Sequence, residues 1–215
     1  MRSVTLVCSF CIVASLISAQ PQASRVITSK DPPDANPQYF PTGVFSEYPE
    51  LSDFRSRSYA KHLRAMSEPS LLEAAKDKSA DSYRFLWLRT FQHPIAIRLT
   101  IRPDGTAQLT GIEMNGKGGY DPGTLATTQI VEISNDQIHQ FQGLMQTTEY
   151  WSMPTVDPRL HEERIRDGAE WILEGARDGR YHVVARLSPQ DGTYREACLY
   201  LLNLSKIEVE ANWVY

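Results

Sequence analysis

Ile95, Ile97, Leu99 and Ile101 alternate with Ala96, Arg98, Thr100 and Arg102 up to Pro103-Asp104-Gly105. A period of two ending at a proline and a glycine predicts a β-hairpin. A three-residue loop with Gly105 in the left-handed region pairs Ile101 with Ala107, Leu99 with Leu109 and Ile97 with Gly111, which makes one face apolar throughout. A two-residue loop slips the register by one and sets apolar residues opposite polar ones. The segment from Ala169 to Arg186 turns at Arg177-Asp178-Gly179, and the same reasoning predicts a three-residue loop there too. Trp171, Leu173 and Gly175 then face Ala185, Val183 and Tyr181. On the other, solvated face Glu170 meets Arg186 and Glu174 meets His182, and such cross-strand charge pairs contribute about 0.2–1 kcal/mol each.

The run from Tyr83 to Phe91 is aromatic and apolar at both alternating positions, the pattern of a central strand covered on two sides. His93-Pro94 stops it, because proline donates nothing to a ladder and restricts the residue before it. Thr127 to Ile133 supplies a further strand, reached through the loop from Asn115 to Gly123. Two helices are marked by capping boxes, Ser134 with Gln137 and Thr193 with Glu196. Their apolar stripes are Ile138, Phe141, Leu144, Met145 and Thr148 in the first, and Tyr194, Ala197, Cys198, Leu201 and Leu202 in the second. Earlier in the chain Leu51, Phe54, Tyr59, Leu63 and Met66 roughly follow helical spacing, and Ser67 can cap a short helix beginning at Glu68-Pro69. The expected fold is α+β: a mainly antiparallel sheet with two capped helices packed on one face, preceded by one or two short helices.

The ends of the chain change this picture. Arg2, the apolar stretch from Val4 to Ile17, and Ser18-Ala19 have the layout of a secretory signal peptide, expected over residues 1–19. The stretch is shorter than the roughly 20 apolar residues of a membrane-spanning helix, so no membrane insertion is expected once it is removed. Six prolines between residues 20 and 50 predict an extended tether. Residues 51–79 follow as a short helical segment and residues 80–209 as the α+β domain. Of three cysteines, Cys8 and Cys11 lie in the leader, which leaves Cys198 alone and excludes an intramolecular disulfide in the mature chain. Net charge is −4, and loss of Arg2 makes the mature chain one unit more negative, which disfavours nucleic acid as a partner.

No complete catalytic motif is present. Lys117, Gly118, Gly119, Tyr120 and Asp121 sit in the glycine-rich stretch Asn115 to Gly123. Such a loop can cradle phosphate through its amides, but here Gly116-Lys117 is followed by Gly118 rather than the Ser or Thr of a P-loop. His161-Glu162-Glu163-Arg164-Ile165 begins like a zinc-protease helix and places Ile165 where the second histidine belongs. Ser58-Tyr59-Ala60-Lys61 matches a serine-lysine pair without its companion Lys-Thr-Gly motif. Cys198 lies on an apolar stripe, where a thiol is inert. Neither a cofactor nor a metal site is expected.

The run from Tyr83 to Pro94, the loop Gly118 to Gly123, Asp167-Gly168-Ala169-Glu170-Trp171, Tyr181-His182-Val183-Val184 and Ser188-Pro189 together resemble a group of uncharacterised secreted bacterial proteins. The resemblance covers about residues 80–205. It implies a secreted or periplasmic setting and carries no activity. The expected function is therefore a non-catalytic module that binds a protein or envelope component through Lys117, Gly118, Gly119, Tyr120 and Asp121, with Trp151 nearby in sequence. The alternative is a small exported hydrolase built from Asp121, His161, Glu162 and Asp167.

Overall fold

The computed structural model describes residues 37–158 and 168–215. Six strands form one sheet in the order β4-β3-β2-β1-β5-β6, every neighbouring pair antiparallel. They are β1 (Asp81–Arg89), β2 (Ile95–Ile101), β3 (Ala107–Met114), β4 (Leu125–Ile133), β5 (Ala169–Arg177) and β6 (Arg180–Leu187). The helices are α1 (Pro49–Ala65), α2 (Leu71–Ala74), α3 (Asn135–Thr147) and α4 (Thr193–Ser205).

The sheet is buried on both faces near its middle. On one face Tyr83, Phe85, Trp87, Trp171 and Leu173 pack with Ile138, Phe141 and Met145 of α3 and with Tyr194, Ala197, Cys198, Leu201 and Leu202 of α4. On the other, Leu86, Leu88, Ile172 and Val183 pack with Tyr59, Leu63 and Met66 of α1 and with Tyr39, Phe40 and Phe45. Residues 37–48 therefore belong to the core rather than to a tether. Two of their aromatic rings, Phe40 and Phe45, pack edge-on with each other and with Tyr59, which repays the order imposed on them. Phe54 of α1, expected on its apolar stripe, is exposed instead. The short helix α2 is capped by Ser70, whose hydroxyl accepts from the Glu73 amide, because Ser67 is already committed to a left-handed turn.

The first hairpin has the expected register, with Ile101 opposite Ala107, Leu99 opposite Leu109 and Gly105 at φ +84°. The second does not. Trp171 pairs with Arg186, Leu173 with Val184, Glu174 with Val183 and Gly175 with His182, so that Asp178-Gly179 alone make the turn. Both residues have positive φ, 54° and 75°, the conformation of a two-residue type I′ connection. The expectation of a three-residue loop assumed that the Glu174 face meets water, and that face is covered. Glu174 lies directly opposite Arg84 of β1, and the Arg84 Nε donates to its Oε2 at 2.7 Å with both side chains fully buried. Arg84 Nη1 also lies 3.3 Å from Glu68 Oε2, which accepts from Arg98 Nε at 2.9 Å. His182 turns to the opposite face and packs on Tyr150.

The capping box of α3 is present in both directions: the Ser134 hydroxyl accepts from the Gln137 amide, and the Gln137 side chain accepts from the Ser134 amide. In α4 the expected box is absent. Gly192, at φ +92°, occupies the N-cap position, which places Thr193 inside the first turn.

Candidate functional site

β1 ends at Arg89, and the connection Thr90-Phe91-Gln92-His93-Pro94 leads into β2. The loop after β3 lies against this connection and is held there by its own backbone. The Gly118 amide donates to the Gln92 carbonyl at 2.9 Å and the Gly119 amide to the Thr90 carbonyl at 3.2 Å. A Cβ on Gly118 would stand 2.6 Å from the Arg89 carbonyl oxygen and 2.7 Å from its nitrogen, so this approach requires glycine. The loop closes on itself as well: Gly116 donates to Pro122, Lys117 to Asp121 and Tyr120 to Lys117. All five amides from Gly116 to Tyr120 are thus committed to carbonyls, and the loop offers no cradle for phosphate.

Asp121 serves the same closure. Its Oδ1 accepts from the Gly123 amide at 2.9 Å and its Oδ2 from Lys61 Nζ of α1 at 3.0 Å. The Gly123 amide, followed by Lys61, holds its carboxyl below the usual range. Lys61 also donates to the Tyr120 carbonyl, so the lysine of the Ser-x-x-Lys pair clamps a loop. What the loop presents outward is the Tyr120 ring, 62% exposed and tilted against Phe91 at a centroid distance of 6.3 Å.

Trp151 is not brought to this surface. Its ring packs on Tyr150, Tyr83 and His182, with the Arg180 guanidinium 4.8 Å away. Tyr83 lies near the start of β1, whereas Gly118 meets Leu88 and Arg89 at its end. At about 3.3 Å per residue the two sites stand at opposite ends of that strand.

On the far side of the same connection lies a cavity of about 220 Å³. Arg89, Gln92, His93 and Glu113 contribute polar groups to its lining, Phe91, Val209 and Trp213 apolar ones, and Glu208 joins them from the exposed surface. The wall from Glu208 to Trp213 belongs to the segment after α4. That segment is fixed by the Tyr215 carbonyl accepting from Trp171 Nε1 at 2.9 Å and by the Tyr215 phenol donating to Gln92. Phe91, Tyr120 and Trp213, all exposed aromatics, therefore cluster around one end of the sheet.

Arg89 is the unusual member. It is 1% exposed and its guanidinium lies 4.2 Å from the Trp87 ring centroid. Nη2 donates to the His93 carbonyl at 2.8 Å, while Nε and Nη1 find no partner among the described residues. Burial pushes its pKa down to about 10, against the pull of Glu113 and Tyr215, and leaves it charged at neutral pH. On the opposite face of β1, Arg84 has two carboxylates in reach; Arg89 has no such pair. Glu113 instead faces His93, whose Nδ1 lies 3.2 Å from its Oε1.

Cys198 is fully buried, and burial pushes its thiol far up, which fits an inert core residue. His161, Glu162 and Asp167 lie outside the described residues. Among the described residues no group of three or more His, Cys, Asp or Glu is placed to hold a metal ion, and no helix is long and apolar enough to cross a membrane. Arg89 escaped sequence reasoning because nothing in a strand buried on both faces distinguishes a neutralised arginine from an open one. The only signal was its inward parity with Tyr83, Phe85 and Trp87. The chain matches no protein-family model, and no curated protein is detectably similar to it.

Proposed function

We propose that this protein is an exported, non-catalytic binding module of the bacterial envelope or secretome, and that it binds through the end of the sheet where β1 gives way to β2. The observation that carries this reading is the exposed aromatic rim, Phe91 with Tyr120, beside a cavity that Phe91 also lines together with the exposed Trp213. The glycine loop supports the reading in a new role. Its tight packing on Thr90 and Gln92 holds that connection in place, as a rigid scaffold holds a recognition loop. Export rests on the leader-like first 19 residues and on the resemblance to secreted bacterial proteins. A net charge of −4 fits a partner other than nucleic acid.

The hydrolase alternative has one described member, Asp121. Asp121 is engaged by the Gly123 amide and Lys61, and its three supposed companions fall outside the described residues. The test is a Phe91→Ala, Tyr120→Ala double variant of the mature chain. Both side chains are more than half exposed, so its melting temperature should stay close to the wild type. Capture of a component from envelope extract should be lost. A folded variant that captures the same component with unchanged yield would refute the rim as the binding surface.

A further inference from the structure

We propose that two copies of this chain join edge to edge through β4, pairing antiparallel about a two-fold axis at Ile130. A strand at the edge of a sheet presents unpaired backbone groups, which proteins ordinarily blunt with charges, proline or a covering segment. The far edge of this sheet is covered. On β6 the Ala185 amide donates to the Thr155 carbonyl at 2.7 Å, and Arg186 donates to the carbonyls of Thr155 and Pro154. Among the described residues nothing covers β4 in this way. The strand holds no proline, lysine or arginine, its one charge is Glu132, and its Leu125 and Ile130 are 60% and 64% exposed.

The ladder fixes which backbone groups are open and with what register they can be met. The Arg102 amide donates to the Thr106 carbonyl at 2.8 Å, and the Met114 amide to the Pro94 carbonyl at 3.1 Å. Bonded and unbonded residues alternate along an antiparallel pair, so between these ends Gln108, Thr110 and Ile112 turn their amides and carbonyls toward β2. Leu109 and Gly111 turn theirs toward Val131 and Gln129 of β4. By the same alternation Thr128, Ile130 and Glu132 point theirs away from the sheet. The register shifts beside Glu113 and skips Ala126, so regular pairing runs from Thr127 to Ile133 with Ile130 at its centre.

An axis at Ile130 uses every one of these open groups on both copies. Ile130 then exchanges its backbone bonds with the partner's Ile130, and Thr128 exchanges its own with the partner's Glu132. Side chains agree with this register. Ile130 packs on its own copy, and Glu132, whose carboxylate accepts from Gln108 Nε2 at 2.9 Å, stands opposite a threonine rather than another glutamate. Moving the axis by one residue sets Ile130 against Glu132 on one side, or Glu132 against the skipped Ala126 on the other. The contact is isologous, so it closes after two copies. The glycine loop precedes β4, which sets the two loops at opposite ends of the paired strands. The joint therefore does not consume the Phe91 and Tyr120 rim, and the two readings fail independently.

Sedimentation velocity of the mature chain over a wide range of concentrations should show monomer in equilibrium with dimer. Ile130→Lys sets two ammonium groups across the axis and should weaken association about tenfold or more. Its monomer should stay folded, because the side chain is mostly exposed. Thr128→Glu opposes the partner's Glu132 and should weaken association likewise. Combining Thr128→Glu with Glu132→Lys sets opposite charges across the joint and should restore it, a rescue particular to this register. In the dimer the amides of Thr128, Ile130 and Glu132 should exchange slowly with water, and on dilution to monomer they should exchange fast. A wild type that stays monomeric up to its solubility limit overturns the proposal, as does assembly beyond a dimer. So does a dimer that both folded single variants leave intact, or a double variant that associates no better than Thr128→Glu. Amides of β4 already protected in the monomer would show that another segment of the same chain covers the edge, and would overturn it too.

Discussion

Replacing Arg89 by methionine should leave the ligand-free protein as stable as the wild type or more so, although it removes a side chain that is 1% exposed. Two buried N–H groups without partners each cost about 1–3 kcal/mol, so their removal returns roughly 2–6 kcal/mol. Against this stand the charge-assisted bond to the His93 carbonyl, about 1.5–3 kcal/mol, and the contact with the Trp87 ring, about 0.5–2 kcal/mol. The difference spans a loss of about 3 to a gain of about 4 kcal/mol and centres on a small gain. Urea unfolding followed by tryptophan fluorescence reads it directly, since Trp87 and Trp171 are both fully buried. A loss of about 3 kcal/mol or more, the cost of breaking a buried pair, would show that Arg89 is held by native partners and refute the reasoning.

Arg84→Met is the contrasting case. It strands the fully buried Glu174 without its cation, while Glu68 keeps Arg98, and should cost about 3–5 kcal/mol, a fall of roughly 6–20 °C in Tm for a chain of this size by differential scanning calorimetry. Gly143→Ala, in the exposed middle of α3 with nothing within 4 Å of the new Cβ, should stabilise by about 1 kcal/mol in urea. Gly118→Ala should instead destabilise by about 1–3 kcal/mol, because its Cβ meets the Arg89 backbone. Burial holds the His62 pKa below its ordinary 6.5. The unfolded chain therefore takes up this proton first as pH falls, and stability present above 6.5 is lost below it. Across pH 7.5 to 5 the urea midpoint of the wild type should fall relative to that of His62→Gln, whereas parallel profiles would contradict the assignment.

Particular residues show why some of this was legible from the chain alone. The first hairpin could be registered because Ile97, Leu99 and Ile101 leave only one arrangement with an apolar face. The second could not, because its register turns on Glu174 finding Arg84, a partner 90 residues away in the chain. The sheet survived that slip because Trp171 and Leu173 face α3 and α4 in either register; only the partners on β6 moved. Tyr39, Phe40 and Phe45 were hidden among prolines, which mark an extended path without revealing that aromatic side chains along it reach a core. At the site, the glycine loop stood out by composition, and Tyr120 and Asp121 do lie together at its tip. The reason for its glycines, the backbone of Arg89 and Thr90, is a tertiary contact that no local pattern carries. Trp151 failed for the matching reason: closeness along the chain set it at the wrong end of β1.

The central claim, that the protein binds through the exposed aromatic rim where β1 gives way to β2, can be tested on that rim directly. In a folded Phe91→Ala, Tyr120→Ala variant of the mature chain, capture of the component that the wild type takes from envelope extract should be lost. A folded variant that captures that component in wild-type yield would contradict it.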